Sequence, residues 1–323
     1  MINRLWVVVL VLLMFAAPAL AQMELKFGHV GAPGSLFAAS AEKFAEIANE
    51  KLGDQATVVV FGSSQLGNDR ELLQKLKLGT VDFALPSSVM SSVVDEFGLF
   101  EMPYLVQSRE HMQAIEEAVF WPELAPKVEE QGYKVLAVWE NGFRHITNNI
   151  RPINVPEDLD GIKLRTPRGE WRVKMFQTYG ANPTPMAFSE VFTALQTGTI
   201  DGQENPYAQI ASAKFQEVQD YLSITGHVYT PAYVLVGKGK FEGLPEEVQQ
   251  ALTEAARETQ AFVYETAAQL EEDLLGVIQE AGVQVNEADK AAFIAASAPI
   301  YEEFAGTVEG AGAMIEKAQS VAP

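Results

Sequence analysis

The sequence predicts an α/β protein of two similar lobes that enclose a cleft, and three observations lead to this prediction. Strand-like and helical segments alternate between residues 24 and 85, as in a mostly parallel sheet with helices on both faces. The twelve-residue unit Glu71–Asp82 aligns without a gap on Glu190–Asp201, and each unit is a helix, a glycine cap and a strand. A helical pattern from Pro245 to about Gly282 would span on the order of 50 Å, more than one small lobe.

The first 21 residues have the features of a secretory signal. They contain one charge, Arg4, an unbroken apolar run at Leu5–Ala17, and then Pro18-Ala-Leu-Ala21, which ends in an Ala-x-Ala cleavage site. The run is too short to span a bilayer comfortably. We therefore predict cleavage after about Ala21 and an exported, soluble chain of about residues 22–323, rather than an uncleaved membrane anchor.

The composition excludes several classes of function. The chain has no cysteine, which excludes disulfides, thiolate metal sites and cysteine nucleophiles. Without Arg4 the chain has 22 Lys and Arg against 43 Asp and Glu, a net charge of −21. This charge argues against nucleic acid and anionic membranes as partners. An anionic ligand would therefore require a local cationic site.

The first lobe is predicted to contain three strands and two helices. Alternating or β-branched apolar residues indicate strands, and apolar residues three or four apart indicate helices. Asn68 with Glu71 has the spacing of a capping box, and Gly79 closes that helix. In order, the predicted elements are a strand at Glu24–Val30, a helix at Ser35–Leu52, a strand at Ala56–Phe61, the helix after Asn68 and a strand at Val81–Leu85.

Two segments are predicted to cross between the lobes. Tyr133–Trp139 is strand-like and is followed by the turn signal Asn141-Gly142. A second crossing is expected near His227–Val236, and the long helix should span both lobes. The predicted division is a signal peptide at 1–21, lobe I at 22–141 plus about 231–270, and lobe II at 142–230 plus about 271–323.

Residues 161–206 are predicted to form one wall of the cleft. Arg165 lies at the carboxyl end of a strand stopped by Pro167, and Asn205 lies in a turn at another strand end. Ligands of open α/β sheets bind outside such strand ends. A guanidinium presents two parallel N–H donors that match a carboxylate, and Asn205 could add a neutral donor. Trp171 and Phe188 could face either the ligand or the core.

Motifs of the common enzyme classes are absent from the sequence. It contains no Gly-x-Ser-x-Gly, Walker or Gly-x-Gly-x-x-Gly motif. Its four histidines are isolated, so none of the usual histidine spacings for a metal site occurs. We therefore predict no catalytic residue, no metal and no cofactor.

Several motifs resemble those of the DctP-type substrate-binding proteins of tripartite ATP-independent periplasmic (TRAP) transporters. The resemblance implies a two-lobed periplasmic binding protein fold, with mostly parallel sheets, hinge strands and a long helix spanning both lobes. It also implies capture of an organic acid in the periplasm and delivery to the small and large membrane subunits of a permease. The motifs are Leu25–Gly28, Ser63–Gly67, Phe143-Arg144, Gly161–Pro167, Pro183–Glu190, Ala194–Gly198 and Asp201–Pro206.

The resemblance also assigns residues to the pocket. Arg165 would grip the ligand carboxylate, Arg144, Phe188 and Asn205 would line the same pocket, and His227 matches a pocket-side position of some members. Where sialic-acid-binding members have asparagine and glutamate, this chain has Val30 and Ser87, which disfavours that sugar. Ser87 is itself a candidate ligand-binding residue at this position.

Aromatic residues near these positions favour a carboxylate with an aromatic or apolar body. Trp171, Phe37, Phe188 and Tyr207 are the candidates for this surface. Uronates, other sugar acids and C4-dicarboxylates remain alternatives, and the protein is expected to be a monomer. Two other functions stay open: a periplasmic enzyme, such as a lyase for the same acid, and a ligand-sensing partner of a membrane receptor.

Overall fold

The structure is a computed structural model that describes residues 22–323. The predicted secretion signal at residues 1–21 lies outside this range. Within it, no helix combines the length and the apolar character that a membrane crossing requires.

Nine strands of residues 22–323 form one continuous sheet. Their order across the sheet is 2-1-3-8-4-7-5-6, and the ninth strand pairs with the eighth. The strands are β1 (Met23–Gly28), β2 (Ala56–Phe61), β3 (Phe83–Ala84), β4 (Tyr133–Asn148), β5 (Lys163–Thr166), β6 (Asn182–Pro185), β7 (Gly202–Asn205), β8 (Tyr221–Gly237) and β9 (Gln284–Glu287).

The two ends of the sheet are parallel and its centre is antiparallel. Strands β1, β2 and β3 pair in parallel, as do β5, β6 and β7. Between them, β4 and β8 run antiparallel to each other over 16 and 17 residues. The predicted hinge strands are therefore present, and they join what the sequence suggested as two sheets into one.

The predicted turn at Asn141-Gly142 is wrong, because β4 continues through it. The pairing register with β8 shifts between Glu140 and Gly142, which marks a β-bulge, and Gly142 has φ of +120°. A glycine with positive φ fits a bulge as well as a turn. The strand thus bends at the predicted crossing point without leaving the sheet.

Twelve α-helices surround the sheet in the described part of the chain. The longest, Glu246–Glu280, contributes Val248, Leu252 and Val263 to the core around β1 and Ile278 to the core beside β7. The prediction of a helix that spans both halves is therefore confirmed. The helices are α1 (Leu36–Leu52), α2 (Asp69–Lys77), α3 (Arg109–Ile115), α4 (Ala125–Glu130), α5 (Glu170–Thr178), α6 (Val191–Gln196), α7 (Tyr207–Ser212), α8 (Lys238–Glu242), α9 (Glu246–Glu280), α10 (Lys290–Ala296), α11 (Ala298–Thr307) and α12 (Ala311–Ser320), with a π-helical segment at Glu116–Leu124.

The sequence repeat corresponds to a structural repeat. Helix α2 leads through Gly79, with φ of +68°, into β3, and α6 leads through Gly198, with φ of +69°, into β7. In the first half, Asp82 Oδ2 accepts a hydrogen bond of 2.8 Å from the Lys26 amide. In the second, Asp201 Oδ2 accepts one of 2.8 Å from the Lys163 amide. The two halves thus tie their parallel strands together in the same way, while the residue boundaries of the lobes remain a prediction.

We expect the substitution Asp201→Ala to lower the free energy of unfolding by about 1 kcal/mol, because the Lys163 amide loses its side-chain acceptor. Urea denaturation followed by circular dichroism measures this loss. Asp220→Ala is the control, since the side chain of Asp220 accepts no hydrogen bond within residues 22–323. Equal losses in the two variants would contradict the proposed role of Asp201.

Candidate functional site

A cavity lies where the two parallel ends of the sheet meet the central strands. Its walls include Val30 after β1, Ser87 after β3, Arg165 in β5 and Asn205 at the end of β7. The space between these walls is about 620 Å³, with the open mouth included. All four segments lie at carboxyl ends of strands, where ligands bind in open α/β sheets.

Six of the nine predicted site residues line this cavity. They come from both halves of the repeat and from β4, which crosses between them. They are Phe37, Ser87, Arg144, Arg165, Phe188 and Asn205.

Trp171 lies in the core, and the prediction that it adds aromatic surface to the cleft is wrong. It is 2% exposed and packs edge-on against Phe304 of α11, with 4.8 Å between ring centroids. Gly98 approaches so closely that any side chain there would collide with both rings. The face of α5 that carries Trp171 therefore packs against the protein core.

Tyr207 and His227 also lie outside the cavity wall. Tyr207 stacks on His145, with 4.4 Å between ring centroids, and both line a groove that does not include the cavity residues Arg144 and Arg165. His227 is fully buried, and its Nε2 lies 3.1 Å from Glu204 Oε2. Neither side chain is therefore placed to line the pocket as predicted.

Glu204 is the centre of a buried charge cluster that the sequence analysis missed. Arg144 donates to its carboxylate from Nε at 2.5 Å and Nη2 at 2.9 Å, and Arg172 donates from Nη1 at 2.7 Å. Burial alone would raise the pKa of Glu204, but the two guanidinium groups hold that pKa well below its ordinary value. Glu204 therefore stays ionised.

Arg172 connects this cluster to a second carboxylate. Its Nη2 lies 2.7 Å from Glu101 Oε2, and neither side chain is more than 2% exposed. Burial raises the pKa of Glu101 to about 7 in spite of the neighbouring guanidinium. In the sequence, the one indication of this cluster was Glu204 within the motif Asp201–Pro206. Its two arginine partners, Arg144 and Arg172, are distant from it in sequence.

Arg165 is a buried cation that forms no ion pair with a carboxylate in the described part of the chain. It is 3% exposed, and its Nε and Nη2 donate to the Met186 carbonyl at 3.2 and 2.8 Å. Among residues 22–323, no carboxylate oxygen lies within 4.0 Å of its guanidinium. Burial, together with the charge of Arg144, lowers the pKa of Arg165 to about 9, so the group is still cationic at neutral pH. An anion in the cavity would give the Arg165 guanidinium the oppositely charged partner that stabilises a buried cation.

Other cavity residues were not anticipated. The cavity mouth includes Arg70, Arg168 and the half-buried Asp69, and burial raises the pKa of Asp69 to about 6 in spite of the charge of Arg165. Asn141 and Gln209 line the wall. Asn141 was seen only as a turn signal, and no pattern in the sequence marked Gln209.

The fold and the cavity together define a two-lobed binding protein with a cationic pocket between its lobes. The family model described as "Bacterial extracellular solute-binding protein, family 7", DctP, matches residues 27–307. The chain therefore belongs to the DctP family of extracellular solute-binding proteins, and the resemblance seen in its motifs is confirmed.

Individual relatives agree with this assignment. The chain is 35% identical to the 2,3-diketo-L-gulonate-binding periplasmic protein YiaO of Escherichia coli (strain K12), over 86% of each chain. The sugar acid binding protein DctPAm of Advenella mimigardefordensis, in complex with galactonate, matches with a TM-score of 0.89 and 32% identity, covering 93% of this chain and 99% of that one. A TRAP periplasmic solute-binding protein of Sulfurospirillum deleyianum, with bound succinate, matches with a TM-score of 0.89 and 32% identity, covering 94% and 100%.

Burial lowers the pKa of His145 to about 3, so this residue makes the free energy of unfolding depend on pH. Its stabilising contribution is complete above its unfolded pKa of about 6.5 and is lost as the pH falls towards 3. We expect the loss of stability between pH 7 and pH 5 to be smaller in His145→Gln than in the unsubstituted protein, by about 2 kcal/mol. Urea denaturation at the two pH values measures it. Identical pH dependence in the two proteins would contradict the neutral state of His145.

Proposed function

We propose that this protein captures an organic acid in the cavity between its lobes and delivers it to a TRAP membrane permease. The observation that carries the proposal is Arg165, a cation 3% exposed in the cavity wall whose only hydrogen-bond acceptor within residues 22–323 is the Met186 carbonyl. A carboxylate is the anion that a guanidinium binds best, through paired N–H donors. The bound acids of the relatives support the same assignment.

The residues around Arg165 take separate roles in this proposal. Arg144 lines the wall, but its Nε and Nη2 are already bound to Glu204, so we assign it to holding the wall in place beside the anchor. Asn205 donates to Gln203 Oε1 with one amide hydrogen and can offer the other to the carboxylate. The ring of Phe188, whose centroid is 6.0 Å from the Arg165 guanidinium, would cover the apolar part of the ligand.

Closure of the lobes would strengthen this binding. An ion pair gains most when water is excluded and the geometry is good. The cavity walls come from both halves of the sheet, and the two halves are joined by the bulged strand β4. We therefore infer that the lobes close around the acid by bending at β4 and β8.

The structure weakens the argument for an aromatic ligand. Trp171 packs against Phe304, and Tyr207 stacks on His145, so Phe37 and Phe188 are the aromatic residues left in the cavity wall. Phe37 and Val30 still form an apolar part of that wall. An acid with an apolar face fits this surface, and sugar acids and C4-dicarboxylates fit it as well.

The remaining assignments follow from the family. We infer that the protein works in the periplasm as a monomer after cleavage at about Ala21, and that its partners are the small and large permease subunits. We assign it no enzymatic activity, because the wall of the cavity serves to hold an anion and its relatives are solute-binding proteins.

We expect Arg165→Met to weaken binding of the cognate acid by about 2–5 kcal/mol, because the carboxylate loses its buried partner. Arg165→Lys should also bind poorly, since an ammonium cannot reproduce the guanidinium fork. Isothermal titration calorimetry with sugar acids, uronates, C4-dicarboxylates and aromatic acids measures these effects.

The same variant has a second readout that separates binding from folding. Arg165→Met removes an uncompensated buried cation, so the free energy of unfolding without ligand should stay equal or rise. Arg151→Met is the control for charge, because Arg151 is exposed and does not line the cavity. Unchanged affinity in Arg165→Met, or an equal loss in Arg151→Met, would refute the proposed anchor.

A further inference from the structure

A line of hydrogen bonds centred on Asn141 runs along one wall of the cavity and joins Asn141 to Ser87, Thr230 and Gln209. Ser87, Asn141 and Gln209 line the cavity, and Asn141 lies at the bulge of β4. Gln209 belongs to α7 and Ser87 follows β3, so the line joins elements of both halves. Which group donates in each of these hydrogen bonds can be derived from the groups at the ends of the line.

Two backbone carbonyls fix that direction. The Ser87 hydroxyl donates to the Pro231 carbonyl at 2.6 Å, and the Thr230 hydroxyl donates to the Gly142 carbonyl at 3.3 Å. A carbonyl oxygen can only accept, so both hydroxyl hydrogens are used. The two hydroxyl oxygens must then accept from Asn141, whose Nδ2 lies 3.3 Å from Ser87 Oγ and 3.1 Å from Thr230 Oγ1.

The orientation of Asn141 in turn fixes that of Gln209. With Nδ2 used for the two hydroxyls, Asn141 presents Oδ1, which accepts from Gln209 Nε2 at 3.3 Å. Gln209 therefore keeps its amide nitrogen on Asn141 and turns Oε1 away from it. The network therefore assigns Oε1 as the amide atom that faces away from Asn141. In an isolated amide, the oxygen and the nitrogen could be exchanged.

The Oε1 atom of Gln209 is a buried acceptor in need of a donor. Gln209 is 4% exposed, and Oε1 has no hydrogen-bond partner within residues 22–323. A buried polar atom without a partner is unfavourable and is rare in native proteins. Because Gln209 lines the cavity, a ligand can supply the missing donor.

This acceptor lies away from the carboxylate anchor. Asn205, beside the anchor, pairs across the sheet with His145 of β4, and Asn141 precedes His145 by four residues. The two residues therefore lie at different levels of β4, and Gln209, which donates to Asn141, lies at the level of Asn141. A ligand held at Arg165 by its carboxylate would therefore meet Gln209 with a more distant part of its chain.

We propose that Gln209 Oε1 accepts a hydrogen bond from a hydroxyl of the bound acid, and that the site thereby selects hydroxy acids of the sugar-acid type. The inference rests on the proposed function, because it takes the carboxylate to lie at Arg165. A second ionised carboxylate at this end has no hydrogen to donate, so a plain dicarboxylate such as succinate is disfavoured. An ammonium group would add a cation to a wall that already holds Arg144 and Arg165.

Calorimetry with matched acids tests this specificity. The probes are D-galactonate and D-erythronate, with adipate, succinate, hexanoate and butyrate as acids of the same carbon number without hydroxyls. We expect a hydroxy acid to bind roughly ten- to a hundredfold more tightly than its unhydroxylated counterparts. In Gln209→Met, which has similar length and no comparable acceptor, the preference should fall to within about threefold.

Gln216→Met is the matched control. Gln216 Oε1 is also buried without a hydrogen-bond partner in the described range, but Gln216 does not line the cavity. This variant should keep the preference of the unsubstituted protein. If Gln209→Met does not melt cooperatively, Gln209→Leu is the second variant, because it also removes the acceptor.

The outcomes separate this inference from the proposed function. Equal affinity of the unsubstituted protein for hydroxylated and unhydroxylated acids, or an unchanged preference in the folded Gln209 variant, would overturn the role of Gln209 and leave the carboxylate anchor intact. Failure of every acid to bind would instead contradict the proposed function, and the inference with it. A preference lost in Gln209→Met and kept in Gln216→Met is the supporting result.

Discussion

In the proposed function, the charge of Arg165 is the constraint on which the binding site depends. The guanidinium is buried at the carboxyl end of β5, yet the chain places no carboxylate oxygen within 4.0 Å of it in residues 22–323. A shortage of acids is not the reason, since the sequence contains 43 Asp and Glu. A buried charge is stable when it is paired, and a protein that keeps one cation unpaired beside a cavity gives a ligand carboxylate a large gain on entry. In this proposal, the missing carboxylate partner of Arg165 favours an anionic ligand as much as the guanidinium itself does.

Glu204 makes this arrangement possible by neutralising the other buried arginines. It binds Arg144 from β4 and Arg172 from α5, and it contacts His227 from β8. Three elements that are distant in sequence thus meet on one carboxylate next to the cavity. Side chains held in this way lose little freedom when the ligand arrives, which favours binding. The cluster holds the wall in place, and Arg165 remains available for the ligand.

The continuous sheet explains how the two halves can share a pocket. Strands β4 and β8 pass from one parallel set to the other, so the bulge at Gly142 and the residues around it belong to the wall and to the hinge together. The hydrogen-bonded line from Ser87 through Asn141 to Gln209 crosses the same place. In the proposed mode of binding, the same short segment of β4 would both contact the far part of the ligand and bend when the lobes close.

The sequence placed Asn205 in a turn, whereas Asn205 is the last residue of β7. The sequence by itself determined the repeat, the long helix and the position of Arg165 at a strand end. These features depend on local periodicity and on strand polarity, and both can be read along the chain. The tertiary structure decided which face of each helix meets the cavity. Trp171 is turned inward because Phe304, which lies 133 residues later, packs on it, and Tyr207 is held by His145 while Gln209 of the same helix reaches the cavity. It also decided that Glu204 is shared by two arginines and that Gln209 presents an acceptor, because each depends on partners that only folding brings together.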